Sequence, residues 1–292
     1  MPQSPPLAGR TALLLRSADR AAPTIAELAH RGAATVLCPV IDFELPEDTS
    51  ALDDGVQRLA DGGFEWLVIT SRTTLLALAR RAAARGLMSA GDTSLPVAPG
   101  TRVAVVGEAT AAACRAAGLR VDVVPAHDHS ARGMLAEWPT ALRPTPGSVV
   151  FMPQADIASP TLAEGLGAWG IDPVIATAYR TVDAPAAPGR ALADPAAGTP
   201  GPDLLPADLA AAHGAPPGID VVLFTSPSIV RRYLALAGSP PPDLMAVAIG
   251  DPTATELRSN GWEPAGIAAV PSPAGLADAW QRALHPAPPG VG

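Results

Sequence analysis

The stretch "VLFTSPSIV" (222–230) drives an apolar run into two hydroxyls and a proline, and "LVITSRTTL" (67–75) does nearly the same. Short β-prone apolar runs of this kind read as buried strands. Ser226 and Ser71 then suit the N-cap of a helix, and Pro227 suits the first helical position, where a missing N–H costs nothing. A strand that passes straight into a helix is the turn of a parallel α/β sheet. Its double occurrence points to a chain written twice.

Outward from these turns, the same order of elements recurs. Strand-like runs are "TALLL", "TVLCPVI", "WLVIT", "RVAVVG" and "RVDVVP", then "SVVFM", "DPVIATAY", "DVVLFT", "LMAVAIG" and "GIAAV", with helical segments between them. Gly107 and Gly250 each follow a strand; Thr110 and Thr253 lie three residues on, and Gly118 and Gly261 eleven. Ser130 and Ser272 then open "SARGML" and "SPAGLA", 23 and 22 residues past those glycines. Duplication of one α/β unit accounts for this, and periodicity alone divides the chain in tandem near residue 140. Residues 183–218 break the pattern with eight prolines. Residues 183–202 read as a mobile insertion and 204–213 as a short helix.

Composition narrows the function. The 292 residues suffice for two domains, and the net charge is −8, with arginine the sole strong base since no lysine occurs. Without a basic cluster, a nucleic-acid surface is not expected. No apolar run reaches the ~18 residues of a membrane span and no leader-like segment opens the chain, so a cytoplasmic protein is expected. Cys38 and Cys114 lack metal or disulfide spacing and read as packed thiols. "HDH" at 127–129 brings no third ligand with it, and no metal site is expected. Nucleophile elbows, P-loops, CxxC and HExxH motifs are all missing from the sequence.

What remains are the helix starts. Unpaired amides and a partial positive charge let a helix N-terminus hold a carboxylate or phosphate without a cationic side chain. Both Thr-Ser turns, both glycine turns and both serine starts fall at carboxyl ends of parallel strands, where open α/β sheets bind ligands. The residues themselves therefore point to a polyanion site; a phosphate or nucleotide binder uses the same turns.

The ordered set "LLLRS", "LCPVIDFELP", "WLVITSRTTL", "VAVVGEATAAACRAAGL", "SARGML", "ATAYRTV", "IDVVLFTSPSIVRRYL", "VAIGDPTATELRSNGW" and "PSPAGLADAW", spanning roughly residues 11–282, resembles the uroporphyrinogen-III synthase family. The resemblance implies two similar parallel-sheet, flavodoxin-like α/β domains interleaved in sequence and joined by a two-stranded antiparallel connector, with the active site in the cleft between them. On that pattern residues 1–38 with 182–292 form one domain, 45–173 the other, and 39–44 with 174–181 the connector. It also implies a cytoplasmic, monomeric lyase without metal or organic cofactor that closes hydroxymethylbilane, a linear octa-acid, with inversion of its last ring. The resemblance also implies the upstream hydroxymethylbilane synthase as a partner.

By the same resemblance Arg16, Thr70, Ser71, Gly107, Thr110, Ser130, Thr225, Ser226, Gly250 and Thr253 are substrate-binding positions, and Tyr179 is the acid that assists departure of the hydroxyl. Two departures stand out. Arg16-Ser17 replaces the family's Arg-Pro, and "GDPT" places Asp251 at a helix start meant for an anion. The alternative reading is a non-catalytic, regulatory module of this fold that binds a tetrapyrrole or another polyanion.

Overall fold

A computed structural model describes residues 5–89, 92, 94–192 and 203–285. The elements run β1 (Thr11–Leu14), α1 (Ala18–His30), β2 (Ala34–Leu37), β3 (Ile41–Glu44), α2 (Ser50–Ala60), β4 (Trp66–Ile69), α3 (Arg72–Ala84), β5 (Arg102–Val105), α4 (Glu108–Ala116) and α5 (Ala131–Glu137). They continue with β6 (Val150–Ala155), α6 (Thr161–Ala168), β7 (Val174–Asp183), α7 (Pro206–Ala211), β8 (Val221–Phe224), α8 (Pro227–Ala237), β9 (Met245–Ala248), α9 (Asp251–Ser259), β10 (Gly266–Ile267) and α10 (Pro273–Leu284).

The strands form two sheets, ordered β10-β9-β8-β1-β2 and β3-β7-β6-β4-β5. The chain divides accordingly: one unit takes the described residues of Met1–Asp42, Val182–Pro185 and Ala193–Gly292, the other Phe43–Thr181 and Ala186–Leu192. This interleaving replaces the tandem division near residue 140 that periodicity suggests. The run at 148–152 becomes β6, which pairs in parallel with β4, whereas β1 and β2 wait for β8. Periodicity reports which residues are strand but not which strands are neighbours.

The two sheets share one plan. Read from the edge, β2-β1-β8-β9-β10 matches β7-β6-β4-β5 followed by an isolated parallel bridge, Ala104↔Val123. The expected strand at 120–125 shrinks to that bridge, because the Asp122 carboxylate takes the Val103 N–H at 2.9 Å. The run at 266–270 likewise keeps two paired residues, Gly266 and Ile267. β4 and β8 lie inside their sheets and are buried along their whole length, because helices cover both faces. In the first unit Leu13, Val222 and Phe224 face one apolar cluster, and Ala12, Leu14 and Leu223 face the other. Leu67 and Ile69, against Trp66 and Val68, divide the second unit in the same way.

The proline-rich insertion is organised in its first half. Residues 186–192 lie along β3, with Leu192 N–H on the Phe43 carbonyl at 2.7 Å and Leu45 N–H on the Arg190 carbonyl at 2.9 Å. The mobile reading is therefore corrected for these residues, while 193–202 lie outside the described residues. No helix among the described residues is long and apolar enough to cross a membrane.

Candidate functional site

The Thr-Ser turns close the strands they were read from. Ser71 caps α3 by accepting the Thr74 N–H at 3.1 Å, and Ser226 caps α8 through the Ile229 N–H at 3.4 Å. Beside each turn the neighbouring strand feeds a glycine turn, tied by the Val106 N–H on the Ile69 carbonyl (3.2 Å) and the Ile249 N–H on the Phe224 carbonyl (2.9 Å). Gly107 and Gly250 are the N-caps of α4 and α9. Neither position requires glycine for its backbone, which is extended at both. A Cβ would meet nothing within 4 Å at Gly250, and at Gly107 would only touch His129 at 3.7 Å. What the missing side chain leaves at these two N-caps is open approach to the first-turn amides.

Ser130 and Ser272 complete the set by accepting the amides of Gly133 (3.2 Å) and Gly275 (3.0 Å). Here glycine is structural: a Cβ would sit 1.8 Å from the Asp128 carbonyl oxygen at Gly133 and 2.1 Å from that of Val270 at Gly275. Both serine starts thus depend on a loop folded tightly over a bare helical position.

In the first unit, Thr225, Ser226, Gly250 and Thr253 line one concavity of about 490 Å³ together with Asp251 and Ala268. Arg16 follows β1, whose Leu14 pairs with Leu223 of β8, so it leaves the sheet at the same end and is half-buried. Asp251 stands exposed in the first turn of α9, where its carboxylate favours the helix but competes with an incoming anion. Thr253 and its counterpart Thr110 are buried, at 2% and 8% exposure, inside the first turns of α9 and α4.

In the second unit, the hydroxyl turn meets the candidate acid. Ser71 Oγ donates to Tyr179 Oη at 3.2 Å and shares a 3.0 Å hydrogen bond with Thr74 Oγ1. Tyr179 comes from β7, and β6 lies between β7 and β4. The β4–β6 register stops at Leu67↔Phe151, and Pro153 of β6 has no N–H to extend it. A register shift also lies here: Thr177 faces Gln154 and Tyr179 faces Ala155, so Ala178 is the extra residue of a bulge. Such a bulge re-aims a side chain. Ala176, Ala178 and Tyr179 consequently share one core cluster, although simple alternation puts Ala178 and Tyr179 on opposite faces. The Phe43 ring meets Tyr179 edge-on at 5.6 Å. Because the Ser71 proton occupies the phenol oxygen, the phenol's own proton is left to donate elsewhere.

One contact was not legible in the sequence. The Glu137 carboxylate accepts the amides of Ala126, His127 and Asp128 at 2.6, 3.0 and 2.8 Å. These hydrogen bonds, that from Asp128 foremost, hold its pKa below the usual carboxylate value. The loop before Ser130 thus grips a carboxylate with backbone amides alone, using the chain's own side chain. Among the described residues no group of three His, Cys, Asp or Glu side chains is placed to hold a metal.

Comparison with solved structures supports the architecture. A mutant uroporphyrinogen III synthase from Thermus thermophilus superposes with a TM-score of 0.55 at 19% identity, covering 94% of this chain and 98% of that one. The uroporphyrinogen-III synthetase of Helicobacter pylori gives 0.54 at 16%, covering 92% and 97%. At these identities the likeness concerns the fold.

By sequence, a uroporphyrinogen-III synthase of Synechococcus elongatus is 29% identical over 151 residues, 52% of either chain. A putative one of Methanothermobacter thermautotrophicus is 32% identical over 167 residues, 54% of this chain and 58% of its own. The chain thus spans about half the length of the curated relatives it matches. The profile of the family described as uroporphyrinogen-III synthase HemD matches residues 22–278, a span that takes in both sets of turns and Tyr179. With a match over most of its length, the chain belongs to the uroporphyrinogen-III synthase HemD family.

Proposed function

We propose that this protein is a uroporphyrinogen-III synthase that converts hydroxymethylbilane into the type III macrocycle with loss of one water. The helix starts at Ser71, Gly107 and Ser130, and those at Ser226 and Gly250, hold carboxylates of the linear octa-acid through backbone amides. An overall negative charge does not prevent this, because oriented N–H groups dominate the field within a few ångströms, well inside the roughly 8–10 Å over which salt screens.

The observation that carries the reading is the Ser71–Tyr179 hydrogen bond at a strand end surrounded by such starts. The phenol proton passes to the substrate's terminal hydroxyl, and the carbon–oxygen bond breaks with its electron pair leaving as water. The azafulvene left behind is attacked by the substituted carbon of the last pyrrole, forming a spiro centre. Cleavage and reclosure from that centre invert the ring, and the proton released on rearomatisation restores the phenol. A phenol is a modest acid, so Tyr179 assists a leaving group that the substrate itself already activates.

The test is to incubate purified protein with freshly generated hydroxymethylbilane, oxidise, and separate the isomers. Type III product supports the proposal; type I alone, as in the spontaneous reaction, rejects it and leaves a binding module.

A further inference from the structure

Glu44, the last residue of β3, is a buried carboxylate with 3% exposure. It accepts the Ala187 N–H at 2.9 Å and Arg190 Nη2 at 3.0 Å, and Arg180 Nη1 lies 3.7 Å away. A charge so placed is expensive unless paired, and here it organises what surrounds it. The 186–192 strap follows β3 as an added edge, with an antiparallel bridge between Glu44 and Ala191. From α3, whose cap is Ser71, Arg80 donates to the Gly189 and Ala191 carbonyls of the same strap.

The residue before Glu44 is Phe43, whose ring rests edge-on against Tyr179 and whose carbonyl receives the Leu192 N–H. Leu192 enters the apolar cluster that contains Tyr179, with Phe43 packed against it. The phenol is therefore held at its oxygen by Ser71 and along its ring by a wall that Glu44 ties down.

We propose that Glu44 is a positioning residue for Tyr179, acting through the 186–192 strap and the Phe43 ring. Its catalytic consequence rests on Tyr179 being the acid of the proposed reaction. Its structural consequence can be read separately, because the chain has two tyrosines, Tyr179 and Tyr233. Tyr233 lies in the other unit with its hydroxyl on the Gly214 carbonyl.

The experiment uses full-length protein with ring-¹³C-labelled tyrosine, comparing wild type with Glu44→Gln by NMR and by steady-state kinetics. The expected result is a moved Tyr179 signal, an unmoved Tyr233 signal, and kcat lowered on the order of tenfold with KM within about twofold. Should Glu44→Gln fail to fold its own unit, seen as collapse of the Tyr179 signal to the position it takes in denaturant, Arg190→Met probes the same tie from its half-buried partner. An unmoved Tyr179 signal, or a moved one with kcat unchanged, overturns the proposal. Wild type that yields only the type I isomer defeats the catalytic reading instead, and the Tyr179 signal alone then decides whether Glu44 positions the ring.

Discussion

Ser71→Ala and Ser226→Ala are matched perturbations of two copies of one turn, and the structure assigns them different costs. Both remove an N-cap oxygen, worth about 1 kcal/mol. Ser226 caps at 3.4 Å and otherwise pairs with Ser228 Oγ at 2.9 Å, an exposed partner that water replaces. Ser71 caps at 3.1 Å and also serves the buried Tyr179 oxygen at 3.2 Å, which adds about 1 kcal/mol for a hydrogen bond whose partner stays buried. The expected losses are thus about 2 kcal/mol for Ser71→Ala and about 1 for Ser226→Ala.

With two units present, unfolding need not be a single transition, so calorimetry is preferred to a single spectroscopic probe. At roughly 2–4 °C per kcal/mol for a unit of this size, the Tm of the affected transition should fall by about 6 °C and 3 °C respectively. Turnover should fall further in Ser71→Ala, because the phenol loses the partner that fixes it. Equal shifts in Tm, or a larger one for Ser226→Ala, would refute the idea that Ser71 has a second task.

Tyr179→Phe keeps the ring contact with Phe43 and should lower kcat roughly tenfold with little change in KM; unchanged kcat reassigns Tyr179 to packing. Gly133→Ala and Gly275→Ala each press a methyl onto a backbone carbonyl and should cost about 1–3 kcal/mol, while Gly167→Ala in α6, with open space around its Cβ position, should be neutral or stabilising. Calorimetry of the three variants separates these outcomes. Burial pushes the Cys38 thiol up to about 12 and the Cys114 thiol to about 11 from 9.0, and raises Tyr233 from 10.0. The folded state therefore binds protons that the unfolded chain releases: stability is complete below about pH 9 and falls as pH rises towards 12. Urea midpoints at pH 8, 9.5 and 10.5 should decline in that order, and a flat series contradicts it.

Local features were open to a sequence reading because they have local causes. The strands at 66–69 and 221–224 and the caps at Ser71, Ser130, Ser226 and Ser272 are each set by residues within one turn of one another. In two places the local pattern is overridden. Alternation along 174–183 places Tyr179 opposite Ala178, and only the bulge against Gln154 and Ala155 brings both inward. The run at 120–125 is strand-like in composition, yet the Asp122 side chain claims a ladder position. Long-range causes left no trace at all. Glu44 finds Ala187 and Arg190 across more than 140 residues, so the first half of a proline-rich segment reads as featureless although it is pinned. Glu137 closing on residues 126–128 spans only nine to eleven positions, yet it is invisible because no residue pattern in that loop fixes the path that brings the amides to the carboxylate.

The permuted order of the two sheets has a consequence for synthesis. As the chain emerges from the ribosome, β1 and β2 appear first, but β8, the strand that completes their centre, follows more than 180 residues later. At translation rates of roughly 5–20 residues per second that interval lasts on the order of ten to forty seconds. The contiguous unit can close during this delay, while the N-terminal hairpin-less pair remains an unfinished, apolar edge. Nascent chains stalled before β8 are thus the ones that ribosome-associated chaperones have most reason to shield.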